Sequence, residues 1–459
     1  MFTGLKSAAR LLRPGLGLKR WLAPLLIGLI ILGLGLGLFL GELYAENNLR
    51  LAATALGRVL PPWLVAVLLS STGLATVVFC LYQLNKIVLE TFLPEKATVA
   101  YVAKQVYHRQ RRRRQGPKVA AIGGGTGLSV LLRGLKHHTD NITAIVTVAD
   151  DGGSSGKLRR ELGVLPPGDF RNCIAALADD EALTTQLFQY RFRSGPGLEG
   201  HSFGNLFITA MAEVTGSFER ALSESGRVLA IRGDIFPSTL ENVTLLAELD
   251  EGARTRKVMG ESVIPETRLP IERVYLQPDE PRAFPPAIQA ILNADIIVAG
   301  PGSLYTSVIP NLLVAEIAEA IRVSPAPKIY ICNVATQPGE TDGYAVDDHV
   351  RAIEAHTSVI ENVVAAASGY SSQPALAPGL TRPKPLFGYT LANNNLEHPI
   401  PPARNLQPVI AAPPADRSYT IIEADVVDEQ HPWRHDPVKL ANALLAWYAA
   451  IKSSSAGAR

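Results

Sequence analysis

Residues 118–157 hold the feature that most restricts the fold: two short apolar runs, each ending in a glycine-rich polar turn. Val119-Ala120-Ala121-Ile122 breaks into Gly123-Gly124-Gly125-Thr126-Gly127 and then into the helix-like Leu128-Ser129-Val130-Leu131-Leu132-Arg133-Gly134-Leu135. Ile142-Thr143-Ala144-Ile145-Val146-Thr147-Val148 ends at Ala149 and spills into Asp150-Asp151-Gly152-Gly153-Ser154-Ser155-Gly156-Lys157. The pattern predicts strand, helix, strand. A parallel pair joined by a helix brings both strand C-termini to the edge where the helix's free N–H groups point, so a phosphate is the natural guest. Glycine at 123–127 permits close backbone approach and positive φ, and Thr126 adds a hydroxyl. The spacing matches no standard fingerprint. Leu128 stands where the dinucleotide motif needs its third glycine, which weakens a nicotinamide dehydrogenase reading, and no Gly-Lys-Ser/Thr of a P-loop follows. A ligand-free βα turn uses the same glycines, and the turn alone does not separate the two readings.

Later stretches repeat the arrangement. Pro167-Gly168-Asp169-Phe170-Arg171-Asn172 opens one helix, and Gly200-His201-Ser202-Phe203-Gly204-Asn205 opens another. Asp169 or Asn172, and Ser202 or Asn205, suit helix capping. Arg171 and His201 are not explained by capping and are candidates to hold phosphate or base. The run at 295–299 feeds Gly300-Pro301-Gly302-Ser303-Leu304-Tyr305-Thr306-Ser307, a second glycine turn whose N–H groups and Ser303, Thr306 and Ser307 hydroxyls suit a second anion. Lys328-Ile329-Tyr330-Ile331-Cys332-Asn333 ends in a loop carrying Thr336 and Gln337-Pro338-Gly339-Glu340. If these four strands are parallel, their loops line one crevice. The fold expected is α/β, a Rossmann-like doubly wound and mostly parallel sheet over residues 118–365, with a small β-rich insertion within 228–271. Residues 366–418 are proline-rich and read as a cover or linker. Residues 419–452 read as a strand and a helix returning to the main domain, the helix starting with a cap and a proline at Asp436-Pro437.

Ahead of this domain lie two uncharged apolar runs, 21–40 and 60–84, each long enough for a hydrocarbon core of about 30 Å. They predict a transmembrane hairpin over residues 21–84, between a basic N-terminus (1–20) and a basic juxtamembrane linker (85–117). The lysine and arginine excess on both flanks, against a loop at 41–59 with balanced charge, places both ends in the cytoplasm. A cleaved signal peptide fits less well, because the first apolar core is long and a second follows. Arg111-Arg112-Arg113-Arg114 suits anionic headgroups better than nucleic acid: no aromatic residues interleave with it, and the formal net charge of 459 residues is only +2. Cys80, Cys173 and Cys332 have no paired spacing, so neither a disulfide framework nor a zinc site is implied.

Taken together and in order, the glycine turn at 123–127, the Asp150 to Gly156 loop, the Pro167 and Gly200 helix starts, the Gly300 turn and the Cys332 to Tyr344 loop closely resemble the bacterial gluconeogenesis factor family. This is the YvcK branch of the proteins related to 2-phospho-L-lactate transferase. The match covers residues 118–361 and, more loosely, Arg434-His435-Asp436-Pro437 with its helix; the hairpin and residues 368–416 lie outside the family's common pattern. The resemblance implies a Rossmann-like fold that binds UDP-sugars such as UDP-N-acetylglucosamine, and a link to cell shape and peptidoglycan precursor supply on gluconeogenic carbon sources. The ligand-binding residues expected are Gly123, Gly124, Gly125, Thr126, Gly127, Asp150, Asp151, Ser154, Ser155, Gly168, Asp169, Arg171, Asn172, His201, Asn205, Gly300, Gly302, Ser303, Thr306, Asn333 and Thr336.

Two functions compete. In the first, a UDP-sugar occupies the crevice and alters a surface seen by a regulatory protein partner in amino-sugar synthesis. In the second, a transferase of the 2-phospho-L-lactate type holds magnesium, the one candidate cofactor, on Asp150 and Asp151 across a nucleotide diphosphate. No nucleophile with a paired base stands out, which favours binding without catalysis. No nucleic-acid partner is expected, and homo-oligomerisation is left open.

Overall fold

The structure is a computed structural model describing residues 19–43, 61–92, 116–179, 181–252, 254–367, 385–411 and 417–457. The chain forms two compact units, Met1–Arg109 and Gln110–Arg459. The basic N-terminus before Lys19, the inter-helix loop, the arginine run and much of the proline-rich stretch lie outside the described residues.

The first unit is a helix pair, α1 (Lys19–Leu43) and α2 (Pro62–Phe92). Small residues let the two backbones approach closely. A Cβ on Gly35 would lie 2.5 Å from Ser70 Oγ and 2.6 Å from its N, and one on Gly73 would lie 2.5 Å from Leu32 N. Trp63–Gln83, at 21 residues, is long and apolar enough to cross a membrane, and in α1 the apolar stretch among the residues whose side chains are described is Pro24–Gly37. By length, the expectation of two spans is therefore met by one helix among the described residues.

In the second unit, seven parallel strands form one sheet in the order β10-β9-β8-β7-β1-β2-β3. These are β1 (Val119–Gly123), β2 (Ile142–Val146), β3 (Asp234–Pro237), β7 (Ile296–Ala299), β8 (Lys328–Ile331), β9 (Tyr389–Asn393) and β10 (Thr420–Ala424). β1 and β7 are buried along their whole length, as central parallel strands covered on both faces must be, so they read as continuous apolar runs rather than alternating ones. The chain steps outward from β1 through β2 to β3, then returns to β7 on the other side of β1 and steps outward again. This is consistent with the Rossmann-like expectation, and its reversal between β1 and β7 opens a crevice at the strand C-termini. The four strands expected to share an edge, β8, β7, β1 and β2, are contiguous and parallel.

Two expectations need correction. The insertion is a three-stranded antiparallel sheet, β4 (Thr244–Asp250), β5 (Thr255–Met259) and β6 (Ile271–Gln277), in the order β5-β4-β6. The segment before it, β3, belongs to the main sheet; at four residues closed by Pro237 it is too short to show a period. His356 clips the insertion to the main sheet's covering helix α12 (Val346–Ala367), its Nε2 accepting the Val274 N–H at 2.9 Å. The second correction is β9, an inner strand within the stretch read as cover or linker. Leu391 and Ala392 are buried in it, and it falls between proline clusters, so composition masked a short apolar run.

The C-terminal helix α13 (Pro437–Gly457) starts where expected, with Asp436 Oδ1 accepting the N–H groups of Val438 and Lys439 at 2.8 and 2.7 Å. It lies so close on α3 (Gly125–Leu135) that a Cβ on Gly134 would collide with Pro437 O. Leu440, Ala441 and Leu444 are buried, and this packing brings residues 433–435 to the crevice.

Candidate functional site at the sheet switch point

The floor of the crevice is the turn from β1 into α3. Gly124 precedes the helix in extended backbone, φ −175°, and Gly125 carries the left-handed conformation, φ +62°. The need for glycine at 124 is therefore space, not φ: a Cβ there would collide with Asp169 Oδ2 and lie 3.0 Å from Thr147 Cγ2. Asp169, in the first turn of α5 (Gly168–Leu177), caps nothing in its own helix. Its carboxyl reaches across to accept the Gly125 N–H, and burial, followed by the nearby charge of Asp150, pushes it up to about 7.

The second glycine turn follows β7 and touches the first. A Cβ on Gly127 would lie 2.5 Å from Pro301 O and 2.7 Å from Gly302 N, so the two turns form one floor rather than two separate anion sites. The loop after β8 holds this second turn in place. Asn333 accepts the Gly302 N–H at 3.2 Å and donates to Gly302 O at 2.8 Å and to Gln337 Oε1 at 3.1 Å; Gln337 donates to Ser303 Oγ at 2.8 Å. Glu340 accepts the Tyr305 N–H at 3.3 Å and the Thr306 hydroxyl at 3.1 Å. Burial pushes Glu340 up to about 7 against these bonds. Asn311 ties the floor beneath, donating to Gly123 O at 3.0 Å and to Ser307 O at 2.8 Å.

A cavity of about 510 Å³ stands on this floor, a size suited to a small ligand. Of the residues expected from sequence, Gly124, Gly125, Thr126, Gly127, Asn172, Gly302, Ser303, Asn333 and Thr336 line it. Gly123 and Gly300 lie beneath, at the strand ends, where the Gly300 N–H donates to Ile122 O at 2.8 Å. Thr306 is turned to Glu340.

Most of the remaining expected residues form a polar cluster beside the cavity. Asp150 Oδ1 accepts the Gly152 N–H at 2.9 Å, and Ser155 donates to the same carboxyl; Gly168 has no room for a Cβ between them. Asn205 donates to Ser155 Oγ at 3.3 Å. Ser154 Oγ pairs with His201 Nδ1 at 3.1 Å, while Arg171 donates to Ser202 Oγ at 2.8 Å and to Asn172 Oδ1 at 3.0 Å. Ser202 is the cap of α7 (Phe203–Thr215), accepting the Asn205 N–H. His201 also lines a separate open hollow with Lys157 and Arg160.

The two acidic residues make different hydrogen bonds but meet the same turn at 260–262. Asp151 accepts the Ser262 N–H at 2.9 Å and packs against Gly260, in the turn that follows β5. Burial first, and then repulsion between neighbouring carboxylates, raises Asp150, Asp169 and Glu261: Asp151 acts on Asp150, Asp150 acts on Asp169, and Asp150, Asp169, Glu340 and Asp151 all act on Glu261. Among the described residues no group of three or more His, Cys, Asp or Glu side chains is arranged to hold an ion.

Arg133, Gln189, Gln337, Glu340, Leu406, Trp433, Arg434 and His435 also line the cavity and were not among the expected residues. Gln337 and Glu340 sit in a loop whose position after a strand was legible. Leu406 and Trp433 come from segments with no strand or glycine turn to mark them, and only packing of the C-terminal part brings them in. His435 is buried, its Nε2 3.2 Å from Cys332 O, and burial lowers it to about 4.

Comparison with known proteins agrees with this architecture. The profile of the family described as 2-phospho-L-lactate transferase CofD matches residues 119–378. A putative gluconeogenesis factor of Nostoc sp. is 45% identical over 445 residues, covering 95% of this chain and 92% of that protein. The gluconeogenesis factor of Bacillus subtilis is 55% identical over 242 residues, 53% of this chain and 75% of that protein. The crystal structure of a UPF0052 family member from Bacillus halodurans superposes with a TM-score of 0.61 at 43% identity, over 72% of this chain and 99% of that one. With a CofD-type domain built around the β1 to β7 switch point and a relative alike over nearly its whole length, the chain belongs to the gluconeogenesis factor family.

Proposed function

We propose that this protein is a membrane-anchored, UDP-sugar-binding regulator, with UDP-N-acetylglucosamine as its ligand. In this role it adjusts carbon metabolism, peptidoglycan precursor supply and cell shape during gluconeogenic growth through a partner enzyme of amino-sugar synthesis. The observation that carries the reading is the cavity over the glycine floor, where the N-terminus of α3 and the clamped Gly302 turn meet. A helix start with glycine backbone suits a diphosphate, and the loops after β8 and before α13 leave room for the groups it bridges. The apolar exterior of the helix pair, with Leu26, Ile30, Leu34, Val67, Leu74 and Val78 exposed, suits lipid and supports the anchor, with the α/β unit on the cytoplasmic side.

Calorimetry on the full chain in detergent tests the ligand. Binding of UDP-N-acetylglucosamine, with the nucleotide sugar recovered intact after long incubation, is the expected result. Turnover in the presence of an added acceptor favours a 2-phospho-L-lactate transferase-like enzyme instead. Failure of a panel of nucleotides and nucleotide sugars to bind overturns both.

A further inference from the structure

We propose that Trp433, backed by Arg404, is the platform on which the nucleobase of the ligand stacks; this rests on the nucleotide-sugar reading above. The cavity is divided by chemistry. Its floor is glycine backbone and hydroxyl, whereas one wall is apolar, made by Val334, Ala335, Leu406 and Trp433. A nucleoside diphosphate divides the same way, into a charged diphosphate and a flat base whose faces are poorly hydrated.

The wall is held by its own hydrogen bonds. The Thr336 N–H donates to Gln407 O at 2.8 Å, the Gln407 N–H donates to Thr336 Oγ1 at 2.9 Å, and the Val409 N–H donates to Val334 O at 3.1 Å. The segment carrying Leu406 is thereby stitched to the loop after β8. Trp433 sits in a closed turn, since the Arg434 N–H donates to His431 O at 2.8 Å and the Asp428 N–H to Arg434 O at 2.9 Å. The His431 ring meets the indole edge-on at 5.4 Å, and the Arg404 guanidinium lies 4.3 Å from the ring centroid.

These contacts fix the plane of a half-buried indole, and a ring held in advance loses little entropy when a second ring stacks on it. Among the described residues, Trp433 and His435 are the aromatic side chains that line the cavity. His435 is buried and committed to Cys332 O, which leaves the indole as the flat surface on offer.

The test compares UDP-N-acetylglucosamine affinity and tryptophan emission in the full chain with Trp433→Phe, Trp433→Ala and Arg404→Ala. Trp433→Ala should lose about ten-fold or more in affinity, the range found when a base loses its aromatic partner. Trp433→Phe should stay within a few-fold of wild type, and because it keeps a ring in place it also guards against a folding defect in the alanine variant. Arg404→Ala should lose about two- to five-fold. Ligand should quench emission in the wild type and quench it much less in Trp433→Phe. Unchanged affinity in Trp433→Ala, an equal loss in the phenylalanine and alanine variants, or undiminished quenching in Trp433→Phe overturns the platform while the nucleotide-sugar reading stands. A wild-type chain that binds no UDP-N-acetylglucosamine overturns both.

Discussion

Gly124→Ala tests the reasoning about the floor most directly, because the backbone at 124 is extended and accepts any residue, so only space opposes the change. The added Cβ meets Asp169 Oδ2, which is buried and holds the Gly125 N–H, and lies 3.0 Å from Thr147 Cγ2. Relieving the overlap means displacing a packed carboxyl and losing its bond to the helix start. Overpacking of this kind costs about 1–3 kcal/mol, and a hydrogen bond to a charged group contributes about 1.5–3 kcal/mol. With partial relaxation, a loss of about 2–4 kcal/mol is expected. For a unit of about 350 residues (Gln110–Arg459) the entropy of unfolding is on the order of 0.7 kcal/mol/K, so the melting midpoint should fall by about 3–6 °C. The discriminating measurement is a double-mutant cycle in thermal and urea melts of the full chain. Asp169→Ala removes the obstacle, so the double variant should be less destabilised than the sum of the singles, by about 1–3 kcal/mol. Additive losses would refute the steric account.

Two further perturbations separate neighbouring roles. His435 is held neutral by burial, with a folded value of about 4 against the usual 6.5; its contribution is fully present above 6.5 and is lost as pH falls toward 4. About 2–3 kcal/mol should therefore disappear between pH 7.5 and 4.5 in the wild type, and that share should be missing from the pH dependence of the unfolding free energy, measured by urea melts, in His435→Gln; identical pH dependences would contradict the assignment. Asp151→Ala should cost about 1 kcal/mol and speed amide exchange in the turn at 260–262 while leaving UDP-N-acetylglucosamine affinity unchanged; a large loss of affinity would return Asp151 to the ligand site.

The sequence alone marked the βαβ start and the apolar strands with their polar turns, and pointed to a shared edge on the condition that those strands are parallel. It did so because a parallel strand covered on both faces must be an unbroken apolar run, and because its glycine turn leaves a visible composition. The cap at Asp436 was legible for the same local reason, a side chain bonding its own next turn. What required tertiary structure was every relation between residues far apart in the chain. That Gly124 is glycine because Asp169 fills the volume beside it, and that Asp151 bonds the turn at 260–262 of the insertion, follow from packing between elements. β9 was hidden because five residues between proline clusters carry too little pattern, and it becomes a strand only with β8 and β10 on either side to pair with it. Trp433 and Leu406 reach the cavity through the docking of α13 on α3 and the stitching of residues 406–409 to the β8 loop. Those contacts span long sequence separations, which no local period records.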